Sequence, residues 1–154
     1  MNLITPETRI KVSSVLNRDT ANYGKQHLVD GSEETCWNSD QQSPQYIALD
    51  FGRPVKPATI QLMFQGGFVG RVSRVLGAAP IATTVGPYTE LAMFYPEDIN
   101  ALQISFGQRA MMNEHFQLPP LDAPIQRMKI VFEESSDHYG RITVYRLEVL
   151  GHAA

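Results

Sequence analysis

The segment that most constrains the fold is residues 27–51, in which a tight turn, the only tryptophan and an alternating strand follow one another. Asp30 precedes Gly31, a pair typical of turns, because aspartate bonds the backbone two residues on and glycine accepts positive φ. From Ile47 to Phe51 every second residue is a large apolar one, the pattern of a strand with one buried face. The segment therefore predicts a β-sheet core plugged by Trp37, whose large ring contributes more on burial than most side chains.

Similar strand patterns recur along the chain and predict an all-β fold. Further strands are predicted at residues 9–15, 59–65, 90–95, 101–106, 126–132 and 142–151. A turn at 52–57, with two prolines and a glycine, predicts that strands 46–51 and 59–65 pair as a hairpin. Residues 71–89 are expected to form a folded, irregular excursion, with or without a short strand. Because amphipathic helices are missing between the strands, the pattern favours an antiparallel jelly-roll β-sandwich over an α/β fold.

Length and charge limit the kinds of partner. The 154 residues carry a formal net charge of −3 and fit one domain spanning 1–154. No basic run occurs, which argues against direct nucleic-acid or membrane-surface binding, and no apolar run is long enough for a membrane span or a signal core. A single cysteine, Cys36, favours a reducing compartment.

Catalytic patterns are not found in the sequence. The four histidines show no metal-ligand spacing, and no nucleophile elbow or phosphate-binding glycine loop occurs, so an enzyme is not expected. Asp137, His138 and Arg141 lie together in one segment, which a hydrated surface loop explains at least as well as a catalytic group.

The turn at Asp30 has two interpretations. It is most simply an ordinary turn, but Asp30, the Thr35 hydroxyl and nearby carbonyl oxygens could also begin an oxygen cage for structural calcium, which takes six to eight such ligands. The sequence does not decide between an ordinary turn and a structural calcium site, and it contains no pattern that requires a cofactor.

Several motifs together resemble a known family. The chain contains L-V-D-G-S-E-E-T-C-W at 28–37, P-Q-Y-I-A-L-D-F-G at 44–52 and Y-G-R-I-T-V-Y-R-L-E-V-L-G at 139–151. These resemble the opening and closing signatures of discoidin, or coagulation factor V/VIII type C, domains, the galactose-binding-like jelly rolls. The motifs V-S-S-V-L-N, E-E-T-C-W-N-S-D-Q, F-Q-G-G-F and F-Y-P-E-D resemble more narrowly an intracellular branch that associates with a nuclear receptor.

The resemblance carries further expectations. The disulfide typical of extracellular members is absent, which fits the intracellular branch and a location in nucleus and cytoplasm. Calcium-bearing relatives complete their cage with a glutamate in the last strand, but the matching position here is Arg146. We therefore expect Arg146 to form an ion pair with Asp30 in place of a cation; Glu148 is the nearest substitute ligand.

The loops are the expected recognition surface. In a jelly roll the segments 17–26, 38–44, 65–71 and 135–141 are predicted to gather at one end. The proposed binding residues are the aromatic anchors and polar groups of these loops: Asp40, Gln42, Phe68, Arg71, His138, Tyr139 and Arg141. The resemblance implies a non-catalytic adaptor that docks on a protein such as a nuclear receptor and represses transactivation. The alternative is a carbohydrate-binding module that uses the same aromatic and polar side chains for a sugar.

Overall fold

The computed structural model describes residues 1–81, 84–98 and 111–154. Its eight strands are β1 (Arg9–Val12), β2 (Trp37–Asn38), β3 (Gln45–Gln65), β4 (Gly70–Ile81), β5 (Thr84–Phe94), β6 (Met111–Gln117), β7 (Ile125–Ser135) and β8 (Thr143–Ala153). Within these ranges, helical structure is limited to the short helix α1 (Thr20–Tyr23) and the 3₁₀ turns Leu16–Arg18 and Lys25–Leu28. The predicted strand at 101–106 lies outside the described residues.

The long strand β3 belongs to both layers of the antiparallel sandwich. Its first part, residues 45–50, pairs with β1 on one side and β7 on the other, and β4 and β5 extend this layer beyond β7. Its second part pairs with β8 and β6, and β2 adds to β8. The predicted hairpin between 46–51 and 59–65 is therefore wrong. Gly52, at φ +71°, and the neighbouring prolines bend this strand from one layer into the other without reversing it.

Outside 82–83, residues 71–89 lie in the two strands β4 and β5, which pair antiparallel with register shifts after Val75 and after Ala78. The described part of this segment is therefore almost entirely strand and not an irregular excursion. Strand β4 lacks the strand pattern in the sequence because several of its positions are small residues. A Cβ atom at Gly77 would lie 2.8 Å from the Leu91 side chain, and Ala78 lies opposite Tyr88, so small positions on β4 accept large side chains of β5. Strand β6 was also not predicted.

The predicted core is confirmed. Trp37 and the following residues from alternating apolar positions of the predicted strands 46–51, 59–65, 126–132 and 142–151 are each no more than 3% exposed: Ile47, Leu49, Phe51, Ile60, Leu62, Phe64, Ile130, Phe132, Leu147 and Val149. Phe132 packs against both Trp37 and Phe64, with ring centroids 6.2 and 5.7 Å away. The Trp37 indole N–H donates to the Ser14 carbonyl at 2.9 Å, so its polar atom is satisfied inside the core. No helix in the described ranges is long and apolar enough to cross a membrane.

Candidate functional site

Three of the predicted loops meet at one end of the sandwich, and we call them together the loop surface: residues 38–44, 65–71 and 135–141. The Gln42 amide donates to the Tyr139 carbonyl at 2.6 Å. Ser136 donates its amide to the Val69 carbonyl at 2.9 Å, and its hydroxyl accepts from the Val69 amide at 2.9 Å. Residues 38–44 and residues 65–71 are therefore each hydrogen-bonded to the loop 135–141.

The fourth predicted loop, residues 17–26, is not joined to these three by the described hydrogen bonds. The turn Lys25–Leu28 packs instead against β8, β2 and β1. A segment that was not predicted contacts the loop surface instead. The carboxylate of Asp98, which follows β5, accepts from the Gly67 amide at 2.9 Å.

Arg141 organises the centre of the loop surface. Its Nε and Nη2 atoms donate to the two carboxylate oxygens of Asp137 at 2.9 and 3.3 Å, and its guanidinium lies 5.1 Å from the Phe68 ring centre and 5.7 Å from that of Tyr139. Partial burial alone would raise the pKa of Asp137, but hydrogen bonds and charge from Arg141 outweigh it, and the pKa is lowered. The pair is therefore an ionised, bidentate clamp that holds the loop.

The close approach of two loops requires a glycine at position 140. Gly140 has φ +86°, and a Cβ atom there would lie 2.7 Å from the backbone of Gln42. A side chain at this position would therefore both strain the turn and push the loops apart.

An open depression of about 650 Å³ lies on the loop surface. Four of the predicted binding residues line it: Gln42, Arg71, His138 and Tyr139. Tyr139 is 58% exposed, and the His138 ring meets it edge to face with centroids 5.2 Å apart. The depression therefore offers an exposed aromatic pair beside polar groups.

The other three predicted residues, Asp40, Phe68 and Arg141, do not line the depression but contact the loops that form it. Phe68 is half-buried under the Arg141 guanidinium, and its carbonyl accepts from the Thr143 amide at 3.2 Å. Asp40 lies at the base of its loop, where its amide donates to the Ser14 hydroxyl at 2.9 Å. These contacts make Phe68 and Asp40 loop-positioning residues in this structure.

Two glutamates at the end of β7 also line the depression and were not predicted. Glu134 lies 3.6 Å from Arg71, and Glu133 lies 3.2 Å from Arg74. With the Asp137–Arg141 clamp, each of these three carboxylates lies beside an arginine, and Arg74 is shared between Glu133 and Glu90. The sequence offered one signal, the acidic pair that directly follows the predicted strand 126–132. Because its carboxylates are paired, the depression suits polar, directional contacts more than the attraction of a highly charged ligand.

The turn at Asp30 is closed by protein donors. The Asp30 carboxylate accepts from the Ser32 amide at 2.9 Å, from His27 Nδ1 at 3.0 Å and from the Thr35 hydroxyl. The predicted ion pair with Arg146 is therefore wrong, and His27 is the partner of Asp30. Asp30 pairs with His27 because the turn Lys25–Leu28 places the His27 imidazole within hydrogen-bond distance of the Asp30 carboxylate.

Arg146 lines a cavity of about 250 Å³ beside the turn at Asp30, together with Leu28, Gly31 and Glu148. No ion pair joins it to Asp30 among the described residues. Since the oxygens of Asp30 already accept N–H and O–H donors, one of them from a basic ring, the residues here do not fit a calcium cage. Among the described residues, no group of three or more histidine, cysteine, aspartate or glutamate side chains is arranged to hold a metal ion.

The hydrogen bonds of His27 indicate its charge. Nδ1 faces the Asp30 carboxylate, and Nε2 lies 2.9 Å from the Ala21 carbonyl. Both bonds form only when both ring nitrogens carry protons, that is, in the imidazolium form. Burial alone would lower the pKa of His27, but the Ala21 and Asp30 contacts outweigh it and raise the pKa above its usual 6.5.

Comparison with known proteins identifies similar sequences over nearly the whole chain. The nuclear receptor 2C2-associated protein of Danio rerio is 43% identical over 151 residues, which cover 97% of this chain and 95% of the relative. The proteins of the same name from Bos taurus and Homo sapiens are 41% and 40% identical over 150 residues, again 97% of this chain and 95% or 96% of theirs. No protein-family model matches the chain.

Solved structures of low sequence identity share the fold. The C-terminal domain of a chitobiase from Bacteroides fragilis superposes with a TM-score of 0.73 at 19% identity, covering 100% of this chain and 99% of that one. Chitosan-binding module 1 of a Paenibacillus chitosanase/glucanase has a TM-score of 0.71 at 16% identity over 98% and 99% of the two chains. An F5/8 type C domain from Bacteroides fragilis has a TM-score of 0.71 at 12% identity, and the match covers 96% of this chain and 93% of that one. These similarities confirm the galactose-binding-like β-sandwich.

Proposed function

This chain belongs to the family of nuclear receptor 2C2-associated proteins, and we propose that it is a non-catalytic adaptor that docks on a nuclear receptor through the loop surface. The observation that carries the proposal is the identity of about 40% to relatives of that name over 97% of this chain. The match extends over 97% of this chain and so includes the segments that form the loop surface.

The geometry of the loop surface supports docking. Tyr139 is exposed while Arg141 beneath it is held by Asp137, so the aromatic ring sits on a fixed base. Exposed aromatic and arginine side chains on an ordered surface are typical of residues that dominate binding energy at protein interfaces. Because the loops are already hydrogen-bonded to one another, binding costs little ordering of the backbone.

Repression of transactivation follows in this proposal from occupation of the receptor surface. A docked adaptor blocks the receptor's DNA contact or its dimerisation and needs no DNA contact of its own. The charges of the loop surface fit this mechanism. Its arginines are matched by carboxylates, so it lacks the positive excess with which proteins neutralise phosphates. Such an adaptor acts where the receptor is, in nucleus and cytoplasm.

A pair of tyrosine variants tests the docking surface. Binding of the purified chain to purified nuclear receptor 2C2 is measured by calorimetry for the wild type, for Tyr139→Ala and for the control Tyr23→Ala. Tyr23 is partly exposed on α1, in the segment 17–26 that the described hydrogen bonds do not join to the loop surface. We expect Tyr139→Ala to weaken binding roughly tenfold or more, the loss typical of an aromatic anchor, and the control to bind within about twofold of wild type. Equal affinities for all three proteins would remove the loop surface from the proposal.

A carbohydrate-binding module is the second candidate. It is favoured by one observation, the open polar depression beside the rings of His138 and Tyr139, since sugars bind aromatic faces flanked by polar groups. A glycan array with the same Tyr139→Ala variant separates the two functions. Binding to one sugar type that the variant abolishes, with no binding to the receptor, would establish the module and overturn the adaptor.

A further inference from the structure

The outer face of the layer formed by β1, β3 and β7 carries a concentration of positive charge. Four basic side chains point outward from the two strands that flank β3: Arg9, Lys11, Arg127 and Lys129. We call this the basic face. The chain as a whole has a formal net charge of −3, so the face is a local exception to an acidic protein.

The strand register arranges these cations in two rows. In one row Ala48 lies between Lys11 and Lys129, and in the next Asp50 lies between the two arginines. Neighbouring strands are about 4.8 Å apart and alternate residues about 6.8 Å apart. The cations therefore stand at the corners of a rectangle of roughly 10 by 7 Å. Ala48 is small, and a depression of about 240 Å³ is lined by Ala48 and by three of the four cations: Arg9, Lys11 and Arg127.

The charge on this face is only partly compensated. Asp50 lies 3.1 Å from Arg127 and offsets one cation. The neighbouring carboxylates of the same sheet face, Glu90 and Glu133, lie 3.5 and 3.2 Å from Arg74. The described ion pairs thus leave three of the four corner cations available to an outside anion.

Two tyrosines lie beside Lys129 and bear on the class of ligand, and one of them, Tyr88, also lines the depression. The Lys129 ammonium lies 4.5 Å from the centre of the Tyr46 ring and 5.2 Å from that of Tyr88. Both rings are thus engaged by a cation of the protein itself, whereas a surface for single-stranded nucleic acid stacks bases on open aromatic faces. The tyrosines instead hold the lysine on the basic face.

From this arrangement we infer that the basic face binds an extended acidic segment of a protein partner. Side chains at alternate positions of an extended peptide are about 6.8 Å apart, the spacing of the cations along each flanking strand. Carboxylates at positions i and i+2 of such a segment meet the cations, and the segment lies over Ala48. This surface is distinct from the loop surface, and the inference does not depend on the nuclear receptor as a partner.

A titration with a synthetic peptide of alternating glutamate and threonine tests the site. Amide chemical shifts of the ¹⁵N-labelled full chain are followed by NMR during addition of the peptide. We expect the largest shifts at Lys11, Ala48 and Lys129, and no shifts with a peptide of alternating glutamine and threonine. Shifts confined to the loop surface, or no shifts with either peptide, would overturn the inference.

Matched charge variants separate a specific site from general attraction. The double variant Arg9→Gln, Lys11→Gln and the control Arg18→Gln, Lys25→Gln each remove two exposed cations and reach the same net charge. We expect the first to weaken peptide binding roughly fivefold or more, the sum of two exposed ion pairs, and the control to leave it within about twofold. Lys129→Gln provides a second, independent change on β7.

Three results of this comparison would contradict the inference. One is equal weakening of peptide binding by the two double variants. Another is wild-type affinity for the peptide in two folded proteins, the double variant Arg9→Gln, Lys11→Gln and the single variant Lys129→Gln. The third is tighter binding of an oligothymidylate than of the acidic peptide at the same amides, which would make the face a nucleic-acid surface.

Discussion

The ion pair between His27 and Asp30 predicts a stability that depends on pH and not on calcium. The His27 side chain is 14% exposed and that of Asp30 31% exposed, so the pair is intermediate between a surface and a buried contact. Exposed ion pairs contribute about 0–1 kcal/mol, and hydrogen bonds to charged groups about 1.5–3 kcal/mol. We therefore expect His27→Gln to lower the free energy of unfolding by about 1 kcal/mol at pH 6, or about 2–4 °C in Tm for a domain of this size.

The sign of the pH dependence follows from the direction of each pKa shift. The pKa of folded His27 is raised above 6.5, so its contribution is complete below pH 6.5 and is lost as the pH rises through the folded pKa. Despite the effect of burial, the Thr35, Ser32 and His27 contacts lower the pKa of Asp30 below 3.8. Its contribution is thus present above that pH and is lost on acidification. The ion pair therefore contributes most to the free energy of unfolding between the lowered pKa of Asp30 and the raised pKa of His27.

Urea unfolding at pH 6 and pH 9, with calcium or with a chelator, measures both effects. We expect the wild type to be about 1 kcal/mol more stable than His27→Gln at pH 6 and equal to it at pH 9, with calcium changing neither. The same difference between the two proteins at both pH values would refute the ion pair. A Tm several degrees lower with chelator than with calcium would show that a cation occupies the turn and that the assignment of His27 as its partner is wrong.

Three further variants test the core and the loop surface. Trp37→Ala should lower the free energy of unfolding by about 3–5 kcal/mol, the loss typical of a large buried ring, as measured by urea unfolding. Arg141→Lys keeps the charge but loses the bidentate contact with Asp137, and should cost about 1 kcal/mol and increase hydrogen exchange in residues 135–141. Gly140→Ala should strain the positive-φ turn by about 1–3 kcal/mol and reduce receptor binding. Wild-type stability in any of these variants would contradict the corresponding contact.

The sequence predicted the core well because periodicity reports which face of a strand is buried. Ile47, Leu49 and Phe51 alternate with more polar neighbours, and all three are buried. The same periodicity does not report the path of the chain. It could not show that β3 continues through Gly52, since a positive-φ glycine beside prolines is equally typical of a hairpin turn. It also failed on β4, where Gly77 and Ala78 leave room for side chains of the neighbouring strand.

The sequence predicted the parts of the candidate site that follow from strand topology, but not those that depend on local packing. Loops that connect strands of a sandwich meet at its ends, so Gln42 and Tyr139 could be placed together from topology alone. The partner of Asp30 could not, because the choice between His27 and Arg146 depends on how a short 3₁₀ turn packs. Such local geometry has no periodic signal in the sequence. The basic face was missed because its cations are separated by up to 120 positions along the chain and form no basic run.

Hydrogen–deuterium exchange of the chain with and without purified nuclear receptor 2C2 tests the central proposal most directly. Docking through the loop surface predicts slower exchange on binding at 38–44, 65–71 and 135–141, and unchanged exchange in β1 and at the β3 bend near Gly52. Protection confined to β1 and that bend, with the three loops exchanging as in the free chain, would contradict the account.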